Sequence, residues 1–149
     1  IPNPGEALTA ITDLLRPGGV MAHQIDLSDY GIFSHHGFSR FEFLTIGDGM
    51  WRAMTTACGG PNRWLMNHYV ERLESVGMQT RVLVTHLYDA GRLAAPIERK
   101  AALVDVKVSD EIERIRPRLL ERYQAIPAEI LGVHGIFLVA RKPEERMIQ

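Results

Sequence analysis

Apolar residues recur at spacings of three and four near the start of the chain, at Ala7, Leu8, Ile11, Leu14 and Leu15, with Thr9, Thr12 and Asp13 on the other side. That period predicts an amphipathic helix running to about Leu15. Asn3 suits its cap, Pro4 its first turn, and Glu6 stands where it can reach back to the cap. The stop is as clear: Arg16 sets a cation at the negative end of the helix dipole, Pro17 cannot continue the ladder, and Gly18-Gly19 permit a left-handed turn. Val20 to Ile25 follows, apolar on both faces at first and polar from His23 onward. This predicts a parallel, central strand whose carboxyl end opens on a cleft.

From Leu27 to Arg63 the pattern weakens under many glycines, with short helices expected around Phe41 to Thr45 and Asp48 to Ala57. Tyr30, Phe33, Phe38, Phe41, Phe43 and Trp51 crowd this stretch, as in a lid or binding wall or in a cover for the core. Leu65 to Val76 has helical period and ends at Gly77, and Met78 to Leu87 alternates as a second strand. Ala94 to Val104 and Asp110 to Tyr123 carry helical spacing, the second capped by Asp110 and broken by Pro117. One helical turn over Pro127 to Leu131 precedes Gly135 to Arg141, a strand apolar on both faces and stopped by Lys142-Pro143. The order implies a layered α/β fold, helices on a mostly parallel sheet. Three strands make a thin sheet with an exposed edge prone to pairing.

Composition narrows the function classes. With 149 residues and 46% apolar content the chain suits a single domain, residues 1–149. Seventeen Lys and Arg against eighteen Asp and Glu leave a net charge of −1, which argues against nucleic acid as a partner. The best apolar run, Ile136 to Ala140, falls far short of the roughly 20 residues that cross a bilayer, so no membrane partner is expected. A lone Cys58 and no zinc spacing point to a reducing cytoplasm. The chain opens at Ile1, with no initiator Met and a helix start directly after, as though in the middle of a larger fold.

The run Asp13-Leu14-Leu15-Arg16-Pro17-Gly18-Gly19-Val20 resembles the turn into the fifth strand of class I S-adenosylmethionine-dependent methyltransferases. Ile1-Pro2-Asn3-Pro4 is similar to the segment after that family's fourth strand, and Asn62-Arg63, the helix after it and Gly77-Met78 to its passage into the sixth. Gly135 to Pro143 resembles the closing strand, which in the family inserts antiparallel between the fifth and sixth. The resemblance implies the C-terminal part of a Rossmann-like methyltransferase sheet, the fifth, sixth and seventh strands with flanking helices. It also implies S-adenosylmethionine as cofactor of the full-length protein, and a small-molecule substrate in view of the long segment before Arg63. The glycine-rich cofactor loop and the acidic end of the second strand are missing from this sequence, so the chain alone is expected to be inactive.

His23, Asp26 and Asp29 lie at the carboxyl end of the first strand, where open α/β sheets place ligands, and Tyr30 and His36 follow in the loop. These five are the candidate substrate-binding residues, with a His or carboxylate serving as base or orienting the acceptor. The plainer account makes the carboxylates turn caps and His23 a core histidine. His35-His36 face opposite ways on an extended stretch and do not share a metal ion easily. Two other classes compete: a non-catalytic α/β interaction or oligomerisation domain, a homo-oligomer formed through the exposed sheet edge, and, ranked last, half of a nicotinamide oxidoreductase.

Overall fold

The computed structural model describes residues 3–56, 62–88, 90–99 and 104–144. Residues 1–2, 57–61 with Cys58 among them, 89, 100–103 and 145–149 lie outside them. Helix α1 spans Pro4–Leu14, and the Asn3 side-chain oxygen accepts from the Glu6 N–H at 3.3 Å, so the predicted cap forms. Its far end differs from expectation. Leu14 is exposed, while Thr12 is buried and donates its hydroxyl to the Leu8 carbonyl at 2.9 Å. The cation that closes the helix is Lys142, not Arg16: its ammonium donates to the carbonyls of Thr12 at 3.1 Å and Leu15 at 2.9 Å. Orphan carbonyls at a helix end accept any donor the fold brings near, here from the other end of the chain.

Strands β1 (Val20–Asp26), β2 (Gln79–Leu87), β3 (Gly91–Glu98) and β4 (Val133–Arg141) form one sheet in the order β1-β4-β2-β3. Every adjacent pair is antiparallel. This corrects two expectations: the sheet is not mostly parallel, and β1 is a margin strand rather than a central one. The burial pattern explains why. Ile136, Leu138 and Ala140 on β4 are fully buried and its other face is half-buried, so β4 takes the interior place, whereas Val20, Ala22, Gln24 and Asp26 on β1 are exposed. Because β4 separates them, β1 and β2 run in the same direction.

The fourth strand is a further correction, since β3 occupies the region where a helix from Ala94 was predicted. Leu87 pairs with Gly91 and Leu83 with Glu98, and Pro96 is tolerated because β3 is an outer strand. Thr85 is an extra residue between the Val84 and Ile136 pair and the His86 and Gly135 pair, so β2 carries a bulge.

The remaining helices are α2 (Asp48–Thr55), α3 (Met66–Ser75), α4 (Val106–Ile115), α5 (Glu121–Gln124) and α6 (Ala128–Leu131). Helix α4 begins earlier than predicted because Asp105, not Asp110, caps it, accepting from the Lys107 N–H at 2.8 Å. Pro117 falls in a 3-10 turn that ends it. Two apolar clusters result. One packs Leu8 of α1 and Tyr69, Val70 and Leu73 of α3 on the Met21, Val84 and Leu138 face of the sheet. The other gathers Phe41, Phe43, Leu44 and Trp51 with Val108, Ile112 and Leu131. Most of the aromatics between Leu27 and Arg63 therefore build a core of their own, and burying each contributes about 1.5–3 kcal/mol. None of the described helices is long and apolar enough to cross a membrane.

Candidate functional site

A cleft of about 210 Å³ opens beside the carboxyl half of β1. Its floor is apolar, from Ala7, Leu8 and Ile11 of α1, and its polar wall comes from His23, Asp26, Tyr30, Asn62 and Tyr69. Three of the five predicted residues, His23, Asp26 and Tyr30, are thus brought together, and Asp29 and His36 are not.

The turn after β1 sets this wall by local hydrogen bonding. Asp26 Oδ1 accepts from the Ser28 N–H at 2.8 Å, an Asx turn that holds the carboxylate at the strand end while Oδ2 has no partner among the described residues. Asp29 is buried and organises the next bend: its oxygens accept from the N–H groups of Gly31, Phe33 and Ser34 and from the Ser34 hydroxyl, all at 2.8–2.9 Å. Burial disfavours its charge, but these four donors outweigh that and hold its carboxyl below the usual range. Asp29 is therefore a loop organiser, as the plainer account had it. The bend carries Tyr30 at φ 53 and Gly31 at φ 78, a left-handed pair that swings the Tyr30 ring outward, 62% exposed. Partial burial and the nearby Asp26 charge push the Tyr30 hydroxyl up.

His23 faces the sheet side of α1, and its Nε2 is shut off from solvent without a hydrogen bond among the described residues. His23 therefore lines the cleft with its Nε2 enclosed, while Asp26 offers it a carboxylate oxygen without a partner among the described residues. His36 is exposed in the 3-10 turn Ser34–His36, away from the cleft lining. No group of three His, Cys, Asp or Glu among the described residues has a geometry for a metal ion.

Two lining residues escaped sequence reasoning. Asn62 Oδ1 accepts from the Trp64 N–H at 2.8 Å and from the Tyr69 hydroxyl at 3.3 Å, so one amide joins the start of α3 to a buried phenol. Burial pushes the Tyr69 hydroxyl up. The Asn62-Arg63 pair was the available signal, and the structure divides its labour. Arg63 turns inward, 7% exposed: its guanidinium donates to the carbonyls of Phe43 and Ile46, pairs with Asp48 and lies 5.1 Å over the Trp51 ring.

Away from the cleft, His134 stacks on Tyr88 at 4.6 Å and stands 5.3 Å from His86. Burial and then the His86 charge lower His134, and burial lowers His68, which accepts the Leu65 N–H at its Nδ1. Both folded values lie below the unfolded one near about 6.5, so the fold favours the neutral rings; their stabilisation is present above that pH and lost as pH falls through the folded values. Thermal melts from pH 8 to 5 are expected to show a flat midpoint above about pH 7 and a fall below about 6.5, blunted in His134→Gln.

S-adenosylmethionine does not fit the residues present. Of the described glycines, Gly47 and Gly49 come nearest to a cofactor loop, yet they follow a 3-10 turn instead of a strand, and the Asp48 between them is engaged by Arg63 and Arg122. That carboxyl is held down to about 2, first by the Arg122 hydrogen bond. Backbone donors that could receive a cofactor there are faced by a carboxylate of the chain's own. Compared with models of known families, with curated proteins and with solved structures, the chain matches none.

Proposed function

We propose that this chain is the substrate-side half of an S-adenosylmethionine-dependent methyltransferase acting on a small molecule, with the donor held by residues outside it. The strand order carries the reading. The last strand, β4, lies antiparallel between β1 and β2, which share a direction. Helix-to-strand turns ending in Pro-Gly-Gly are common, but a closing strand threaded between two earlier strands of like direction is a non-local arrangement, and it matches the one expected from the resemblance. The outer edge of β1 has no strand beside it among the described residues, which leaves room for the sheet to continue.

Within this reading the chain binds and orients the acceptor. Asp26 Oδ2 accepts the acceptor's hydroxyl or amine proton as a hydrogen bond, Tyr30 and Tyr69 wall the ring, and the α1 floor excludes water. Titration calorimetry of the chain with S-adenosylmethionine is expected to show no micromolar binding. The product of the whole gene is expected to transfer labelled methyl to a small-molecule acceptor, with Asp26→Asn slowing transfer about tenfold or more. Tight donor binding by this chain, or a gene without a glycine-rich βαβ unit before Ile1, overturns the reading. The same unpaired edge of β1 favours a second one, a non-catalytic domain that pairs with another copy there. A stable dimer by light scattering, in a gene without that unit, would select it.

A further inference from the structure

We infer that the cleft beside β1 selects an uncharged, hydroxylated single ring, of the glycoside type, and rejects phosphorylated or carboxylate-bearing ligands. The inference rests on the substrate-side reading for its biological role, but not for its chemistry.

Size comes first. At about 210 Å³ the cleft falls below the roughly 300–1,000 Å³ of pockets for drug-sized ligands, so one ring fills it. Charge comes second. Among the described residues no Lys or Arg lines the cleft, and its one carboxylate is Asp26. Two cations that contact α1, one wall of the cleft, are engaged there: Lys142 on the carbonyls that end the helix, Arg72 on the Thr9 hydroxyl at 2.6 Å. An anionic ligand would meet a carboxylate with no Lys or Arg among the described lining residues to offset its lost hydration.

Hydrogen-bond polarity decides the rest. Both oxygen contacts of Asn62 are made inside the protein, which leaves its Nδ2 as a donor without a partner among the described residues. Asp26 Oδ2 is an acceptor in the same position. A hydroxyl group both donates and accepts, so neighbouring hydroxyls on one ring satisfy a wall that offers both. The phenol rings of Tyr30 and Tyr69 add flat apolar faces for the C–H side of such a ring. Asp29 makes this wall rigid in advance, because the four donors it gathers hold the backbone of the Tyr30 turn.

Amide spectra of the labelled chain, titrated with methyl α-glucopyranoside and with glucose 6-phosphate, test the idea without any methyl donor. The neutral glycoside is expected to shift Asp26, Tyr30, Asn62 and Tyr69, and the phosphate to bind at least about tenfold more weakly. Asp26→Asn keeps an acceptor for the Ser28 N–H and is expected to narrow that gap at least about threefold. Tyr30→Asn, a residue that accepts the left-handed backbone, is expected to weaken glycoside binding at least about fivefold. Equal or tighter phosphate binding, no shift from either probe, or an unchanged gap in Asp26→Asn overturns the inference. Glycoside binding here with no methyl transfer by the whole gene product would keep the site and remove the transferase; transfer to an anionic acceptor would do the reverse.

Discussion

Arg63→Ala is expected to lower stability by about 3 kcal/mol, with a fall in melting midpoint of roughly 6–12 °C for a chain of this size. The side chain is 7% exposed and joins three separate pieces of the segment before it: the Phe43 carbonyl, the Ile46 carbonyl and the Asp48 carboxylate at the start of α2. Removing it leaves two part-buried carbonyls without their charged donor, each a loss of about 1–3 kcal/mol, and takes away the plate stacked on Trp51. The Tyr123 hydroxyl, which donates to the Arg63 carbonyl at 3.0 Å, ties the same residue to α5. Urea unfolding followed by near-ultraviolet circular dichroism reads both the stability loss and the altered Trp51 environment. Asp48→Asn is the control. Asp48 is 59% exposed, so losing its ion pairs is expected to cost no more than about 1 kcal/mol, and equal effects from the two variants would assign the role to the ion pair instead.

Leu138→Ala is expected to cost about 2–5 kcal/mol, because Leu138 is fully buried at the centre of β4, opposite His23 on β1 and Val82 on β2. The same loss would loosen the two flanking strands together. Hydrogen exchange is expected to rise across Val20–Asp26 and Gln79–Leu87 in the variant, with β4 the best-protected strand in the parent chain. Val20→Ala gives the contrast: at 55% exposure on the margin strand it is expected to change stability by no more than about 0.5 kcal/mol. Comparable effects from the two substitutions would mean that β4 is not the interior strand.

Elements governed by neighbours in sequence were legible. The Asn3 cap, the left-handed Gly18 in the turn between α1 and β1, the left-handed Gly77 after α3, and the doubly apolar β4 all follow from local sterics and periodicity. Gly91–Glu98 was not, because Ala94 and Ala95 carry helical propensity that pairing with β2 overrides. The start of α4 was misplaced because two aspartates stood within reach of it and only the packing of Val108 and Ile112 chooses between them.

The candidate site divides the same way. That a polar strand end would open on a cleft was readable from Val20 to Asp26, and His23, Asp26 and Tyr30 do line one. That Asp29 spends its oxygens on the loop, that His23 buries Nε2, and that Asn62 and Tyr69 complete the wall depended on where the turn and α3 come to rest. The sequence by itself determined helices α1 and α3, the segments of strands β1, β2 and β4 and the absence of a glycine-rich cofactor loop, because each depends on spacings of a few residues. Only the tertiary structure decided that β3 pairs with β2, that Lys142 closes α1 and that Arg63 anchors the aromatic segment. Those choices are made by contacts between separate elements of the chain, whose energies compete globally and leave no local mark.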